Sequence, residues 1–316
     1  MKKILVYALF IPFLFVLNVL GDEFPIYSAS RVSEPPRIDG ALDDACWTTA
    51  EKTAPLVAIG GQAVDISTTG MLCWDDKMLY IAFVCNEPLM NVLEERIRPG
   101  QVQDFDESIE VFLDADYDRY SYVQLRVGVK GERDSRYGTQ LDPEIHKRWS
   151  AGVRRGKDRW TVEMAVPFEL LSDSRLQPDT IWGLNLNRQR LVDAGREKWT
   201  CWSDTKGGFH SPARFGRLFF ADYPLWLRCH YAVLKGSLMD AIEDLMMRYP
   251  DAGRPLMPEL NRLDEAWLAF LQTIAKAAPD TGGKCKELLP RGTEAVNRYK
   301  DFLARLRLSV IKEAFH

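Results

Sequence analysis

From Arg37 to about Tyr223, apolar residues recur at every second position in short runs broken by Gly, Pro, Asn and Asp. That period of two is the mark of strands with one buried face. It predicts strands over residues 70–74 and 78–84, joined by Asp75, Asp76 and Lys77 as a hairpin, and further strands bearing Glu110 and Arg126. Others follow over 149–154, 159–166, 182–190 and 214–220. Pro167 ends its strand, and 168–171 reads as one helical turn. After Pro224 the spacing lengthens to three and four: Leu238, Ile242, Leu245 and Met246, then Leu260, Leu263, Trp267, Phe270, Leu271 and Ile274. A third helix is expected over 293–315, with Leu303, Leu306, Val310 and Ile311 as its stripe. The chain is therefore mainly β: an antiparallel, jelly-roll-like β-sandwich over 22–224, followed by a small α-helical region over 225–316 packed on itself or on the sandwich.

Residues 1–21 form a separate unit, in which Lys2 and Lys3 precede an apolar run from Ile4 to Leu20 with small or permissive residues at Val19 and Gly21. This matches a secretory signal cleaved near Asp22, which places the mature protein in the periplasm or outside the cell. A single-span anchor is the competing reading, opposed by Pro12 and the brevity of the run. No cysteine follows the run to take a lipid, and no later segment is long and apolar enough to span a bilayer. The net charge of -4 gives no push towards nucleic acid. Cys46, Cys73, Cys85, Cys201, Cys229 and Cys285 are too scattered to assign disulfides, and without a CxxC pair or a His cluster a zinc site would need distant residues.

The stretch 103–127 carries the most chemistry. Ile109, Val111 and Leu113 alternate with Glu110, Phe112 and Asp114, while Val123, Leu125 and Val127 alternate with Gln124 and Arg126. A hairpin centred on Asp118 sets Glu110 opposite Arg126 and Phe112 opposite Gln124. The pair is either the polar floor of a binding surface or a cross-strand ion pair on a solvated sheet. Asn185, Asn187 and Gln189 share the polar side of their strand and either extend that floor or satisfy edge backbone groups. His210, beside Phe209 in a Gly-rich loop, is a rim residue or a structural one, and Trp47, Trp74, Trp160 and Trp182 read as core. Asp114, Asp116 and Asp118 have the spacing of a cation loop, yet Arg119 and Tyr120 follow where an EF-hand would continue with Gly and a distal Glu. They read as an acidic turn, with calcium as the alternative. No catalytic signature is present: Glu107 and Glu110 fall on opposite faces of a strand, Glu163 lies on another, and no GxSxG, HExxH or P-loop occurs.

A series of segments, in order, resembles the family 9 carbohydrate-binding modules, a β-sandwich family related to DOMON-type domains. They are IDGALDDACW (38–47), CWDDKMLYIAFVCNEP (73–88), DESIEVFLDADYD (106–118), VQLRV (123–127), RWTVEMAVPFELL (159–171), WGLNLNRQR (182–190) and WSDTKGGFHSPARFGRLFF (202–220). The helical region lies outside the resemblance. It implies a sugar end held between two aromatic rings, with a Glu and an Arg on neighbouring strands fixing its hydroxyls, and calcium as a structural ion of the family. Glu110 and Arg126 fall on the charged positions, Phe209 on one aromatic position, and Phe105, beside Gln103 and Asp104, where the family has a Trp. Trp199, Trp202 and Tyr122 are other rings able to substitute. The resemblance thus implies non-catalytic binding of a mono- or oligosaccharide in polysaccharide recognition or catabolism, in association with a glycoside hydrolase if any enzyme. Two further classes stay open: a DOMON-type haem or redox domain, with Met164 and His210 as the nominated axial pair, and a structural protein whose tail docks a partner through Trp226, Trp267 and Phe270.

Overall fold

A computed structural model describes residues 24–97, 107–171, 180–192, 195–220, 223–276 and 288–314. The chain opens with β1 (Ile26–Ser28), β2 (Ser30–Arg31), the short helix α1 (Ala45–Thr49), β3 (Val57–Ala58), β4 (Thr68–Trp74), β5 (Met78–Asn86) and α2 (Met90–Arg96). It continues through β6 (Ser108–Asp114), β7 (Val123–Gly128), β8 (Arg133–Tyr137), β9 (Gln140–Leu141), α3 (Pro143–His146), β10 (Ser150–Arg155) and β11 (Arg159–Pro167). The sandwich closes with β12 (Ile181–Gln189), β13 (Trp199–Cys201) and β14 (Gly216–Phe219), before α4 (Tyr223–Arg248), α5 (Pro250–Gly253), α6 (Met257–Ala275) and α7 (Leu288–Ala314).

The strands form two sheets. The larger runs β1-β14-β12-β6-β7-β8-β9, with β13 joining β12 to β3; the smaller runs β10-β11-β5-β4-β2. Pairing is antiparallel except where β1 and β2 add parallel to β14 and β4. The period-two positions explain the core: Ile109, Val111, Leu113, Leu125, Val127, Leu184 and Leu186 of one sheet pack with Leu72, Ile81, Phe83, Val162 and Met164 of the other. Each such side chain contributes about 1.5–3 kcal/mol by burial. Trp47, Trp160 and Trp182 are buried, as expected, and Trp74 is half-buried. The described cysteines, Cys46, Cys73, Cys85, Cys201 and Cys229, are free thiols.

Parity also sends one charged side chain inward. Arg188 follows Leu184 and Leu186 on the same face of β12, and it closes the end of the sandwich with a buried ion network. Its guanidinium donates to Glu107 at 2.6 and 2.9 Å, to Glu87 at 3.3 Å, and to Thr68 Oγ1 and the Asn86 carbonyl. Arg190 forks onto Glu87 at 2.7 and 3.0 Å, while Trp160 Nε1 and the Leu191 amide also donate to Glu107. Such ions tolerate burial because every partner is present. On the outer face of the smaller sheet, Glu163 accepts from Trp47 Nε1 at 2.7 Å and from the Asp39 and Gly40 amides. This pins the 38–47 loop, where Gly40 sits at φ +81° with the Arg154 backbone too close to admit a Cβ. Glu163 is a structural anchor.

The helices pack on the larger sheet as well as on one another. Phe219 of β14 is fully buried in their core, joined by Ile26 and Ile181 from β1 and β12. Helix α7 begins at Leu288, earlier than the expected residue 293, because Pro290 is compatible with a first helical turn. Trp267 and Phe270 face the interior of this bundle and are buried, so they are not available to a partner; the Trp226 side chain lies outside the described residues, as do residues 1–21. No helix among the described residues is long and apolar enough to cross a membrane. The network at Arg188 gives a direct stability test: Glu107→Ala strands a buried guanidinium, and chemical denaturation is expected to show a loss of about 3–5 kcal/mol, against less than about 0.5 kcal/mol for an exposed acid such as Glu144→Ala.

Candidate functional site

Strand register assembles the polar face of the larger sheet. Glu110 pairs with Arg126 on β7 and with Asn187 on β12, and Phe112 pairs with Gln124 and Asn185. One strand further out, Arg126 pairs with Asp134 and Gln124 with Arg136; on the opposite side, Gln189 pairs with Trp199. Cross-strand partners share a face, so these side chains all stand on the side away from the sandwich core. The hairpin geometry read from the sequence is therefore the observed one.

Within this face the charges are linked. Glu110, 5% exposed, accepts a 2.5 Å hydrogen bond from Gln124 Nε2. Burial raises the Glu110 carboxyl above the ordinary Glu range, and the nearby Arg126 charge and the Gln124 bond only partly oppose that rise. Arg126 donates to Asp134 through Nη2 at 2.6 Å and Nε at 3.3 Å, so its ion pair runs to the carboxylate on β8, while Glu110, opposite it in register, is bonded by Gln124 and feels the Arg126 charge through space. Asn187 is fully buried beside Glu110, and neither of its amide atoms has a hydrogen-bond partner.

An aromatic cluster builds the adjoining wall. Phe112 lies on the polar side of β6 yet is fully buried, because the loop between β13 and β14 folds over it. Its ring centroid lies 5.2 to 6.4 Å from those of His210, Tyr122, Phe215 and Phe209, mostly edge-to-face. Asn185 staples that loop down, accepting from the Ser203 amide at 2.9 Å and donating to the Ser203 carbonyl at 3.1 Å. It is thereby committed to structure rather than to the recess. His210 Nδ1 is 2.8 Å from the Tyr122 hydroxyl, and burial, then the Arg136 and Arg126 charges, hold the imidazole below its usual pKa and neutral near pH 7.

These elements enclose a recess of about 460 Å³. Glu110, Gln124 and Arg126 line it, with Phe209 and His210 on the loop side and Arg136 and Thr139 at the β8 end. Trp199 and Gln189 line the opposite end. Trp199 is 47% exposed, far more open than Phe209 at 8%, with Lys198 Nζ 4.9 Å from its centroid. Phe209 contributes an edge of a packed cluster rather than a free ring, Trp202 is buried between the sheets, and Tyr122 lies in the cluster under the loop. Phe105 lies outside the described residues. Arg136 and, in the turn that follows, Thr139 were not legible, because β8 (Arg-Asp-Ser-Arg-Tyr) has no apolar alternation to mark the hairpin: its inward Ser135 accepts from Trp149 Nε1. The nominated haem pair is not brought together, since Met164 is sealed between the sheets and His210 stands on the outer face of the larger one.

The acidic turn sits at the far end of β6. The carboxylates of Asp114, Asp116 and Asp118 lie within 4.8 Å of one another. They are largely occupied by their own turn: Asp114 accepts from the Asp118 and Arg119 amides, and Asp118 from the Tyr120 and Ser121 amides and the Ser121 hydroxyl. Burial and its acidic neighbours push Asp114 up to about 7. An acid whose folded pKa exceeds its unfolded value of about 3.9 favours the folded state when protonated, so its contribution is lost as pH rises from about 4 through about 7. Thermal melts are expected to show wild type losing ground to Asp114→Asn between about pH 5 and about pH 8; a pH-independent difference in Tm would show that Asp114 does not titrate in this range.

A shallow recess on the outer face of a β-sandwich, with an acid and a guanidinium on its floor and rings on its walls, has the chemistry to hold a polyol. The sequence matches the family described as carbohydrate family 9 binding domain-like over residues 38–222, and the chain belongs to that family. It is accordingly a non-catalytic carbohydrate-binding protein. Among solved structures, the fold is similar to a family 9 carbohydrate binding module from Caldicellulosiruptor kristjanssonii in complex with cellotriose, at 19% identity over 62% of this chain and 94% of that one, TM-score 0.49. A structure of a family 9 module from the same organism in complex with glucose gives 20% identity over 62% and 95%, TM-score 0.48. A putative carbohydrate-binding protein from Bacteroides uniformis ATCC 8492 gives 14% identity over 63% and 100%, TM-score 0.49. No curated protein matches the sequence.

Proposed function

We propose that the recess over Glu110 and Arg126 is where this protein holds its carbohydrate, as one sugar ring or the end of an oligosaccharide. The observation that carries this reading is the convergence of Glu110, Gln124 and Arg126 on one cavity beside the open Trp199 ring. Vicinal hydroxyls donate to the Glu110 carboxylate and accept from Arg126, charge-assisted bonds that select hydroxyl geometry. The axial C–H groups of a pyranose stack on Trp199, with Phe209 closing the loop side. A shallow site recovers little apolar area, so affinity is weak to moderate. Asn187, next to Glu110 in register and with neither amide atom hydrogen-bonded, is a further polar group beside the floor.

The apolar run at 4–20 supports a reading in which the mature chain is secreted or periplasmic, where it meets polysaccharide and serves recognition or catabolism. Recognition of this kind needs no cofactor. A calcium ion at Asp114, Asp116 and Asp118 would steady the turn, four residues along β6 from Glu110, rather than touch the sugar. The helical region serves as a support for the larger sheet, consistent with Phe219 in its core.

Calorimetric titration with a panel of mono- and oligosaccharides tests the proposal. Binding heat is expected for wild type, and Glu110→Ala is expected to weaken binding by about 10- to 100-fold through loss of a hydrogen bond to a charged group. Because sugar hydroxyls favour the ionised carboxylate and Glu110 is raised in the free protein, affinity is expected to fall with decreasing pH, starting above the ordinary Glu value of about 4.3. No heat with any sugar would overturn the reading.

A further inference from the structure

We propose that the sugar is acidic, a hexuronate, and that Arg136 receives its carboxylate; this rests on the recess being the carbohydrate site. The argument is one of charge at close quarters. Two guanidiniums, Arg126 and Arg136, line the recess, and Glu110 is its only carboxylate among the described residues. Behind them Asp134 serves both arginines unequally, at 2.6 Å from Arg126 Nη2 and 3.4 Å from Arg136 Nη2. The only other hydrogen bond of Arg136 shown among the described residues runs from Nη1 to the Thr139 carbonyl at 3.2 Å, a neutral acceptor. Asp134 thus holds Arg126 closely and Arg136 only loosely, and the Arg136 side chain is 29% exposed, so its guanidinium lacks a close bidentate partner. A ligand carboxylate supplies that close partner, which a neutral ligand does not.

The remaining groups reinforce the asymmetry. Lys198 stands at the Trp199 rim, and the two arginines line the recess together with His210. Register fixes the spacing: Arg136 lies on β8, two strands across and two residues along from Glu110 on β6, which is roughly 12 Å at the ordinary strand separation and rise. A sugar ring placed over Gln124 and Arg126 has its hydroxyl edge towards Glu110 and its opposite edge towards Arg136. A planar carboxylate there matches the fork of a guanidinium in two parallel bonds, which a hydroxymethyl group does not.

Calorimetry with glucuronate and galacturonate, with glucose and galactose as their neutral counterparts, and with a glucose sulfate decides the matter. Wild type is expected to bind a uronate about tenfold or more tightly than its neutral counterpart. Added salt is expected to erode that preference. The uronate-to-neutral affinity ratio is expected to collapse towards one in Arg136→Gln, which keeps the size of the side chain, and in Arg136→Ala. Equal or tighter binding of the neutral sugars by wild type would overturn the acidic-sugar assignment while leaving the carbohydrate site standing. Tighter binding of the sulfated sugar would overturn the carboxylate in favour of a sulfate ester. No heat with any of them would overturn the site itself along with this proposal.

Discussion

The register of β6 between β7 and β12 is the constraint on which the rest depends. A slip of one residue in β6 would bring Glu110 and Phe112 into the core and turn Ile109 and Val111 out to the loop side, parting Glu110 from Arg126. The apolar face forbids that slip, so the same burial that stabilises the sandwich also fixes which acid stands next to which guanidinium. Recognition chemistry here is a by-product of strand parity, made specific by what the neighbouring strands supply. Asp134 and Arg136 come from β8, Asn187 from β12, and Trp199 from β13.

The two faces of the larger sheet solve different problems. Its inner face carries one inward arginine, Arg188, whose charge is tolerated because Glu87, Glu107, Thr68 and the Asn86 carbonyl satisfy it. The outer face is divided. Helices α4, α6 and α7 cover the β1 and β14 side through Phe219, while the loop between β13 and β14 covers Phe112 and leaves the recess beside it. Asn185 and His210 belong to that covering loop's anchorage, through Ser203 and Tyr122, although both lie next to the proposed sugar.

Much of this was legible in the chain. Period two showed the core strands and the Glu110 to Arg126 pairing, and the three-and-four spacing showed the helical region with its internal Trp267 and Phe270 stripe. Three things were hidden, each for a physical reason. Strand β8 is polar along its length, so Asp134 and Arg136 gave no strand signal. Phe112 sits at a polar-face position and is buried by a loop distant in sequence, which no local pattern reports. The partners of the inward Arg188, Glu87 and Glu107, come from the ends of other strands and could be assigned only in three dimensions.

The central claim is that one sugar ring lies over the β6 to β8 floor between Trp199 and Arg136. NMR of the isotopically labelled protein during sugar titration addresses it directly. The account expects saturable shifts of the Trp199 indole N–H, the Arg126 and Arg136 guanidinium N–H groups and the amides of 207–210. Shifts confined to the smaller sheet or to the helices, with these signals unmoved at saturating sugar, would contradict it.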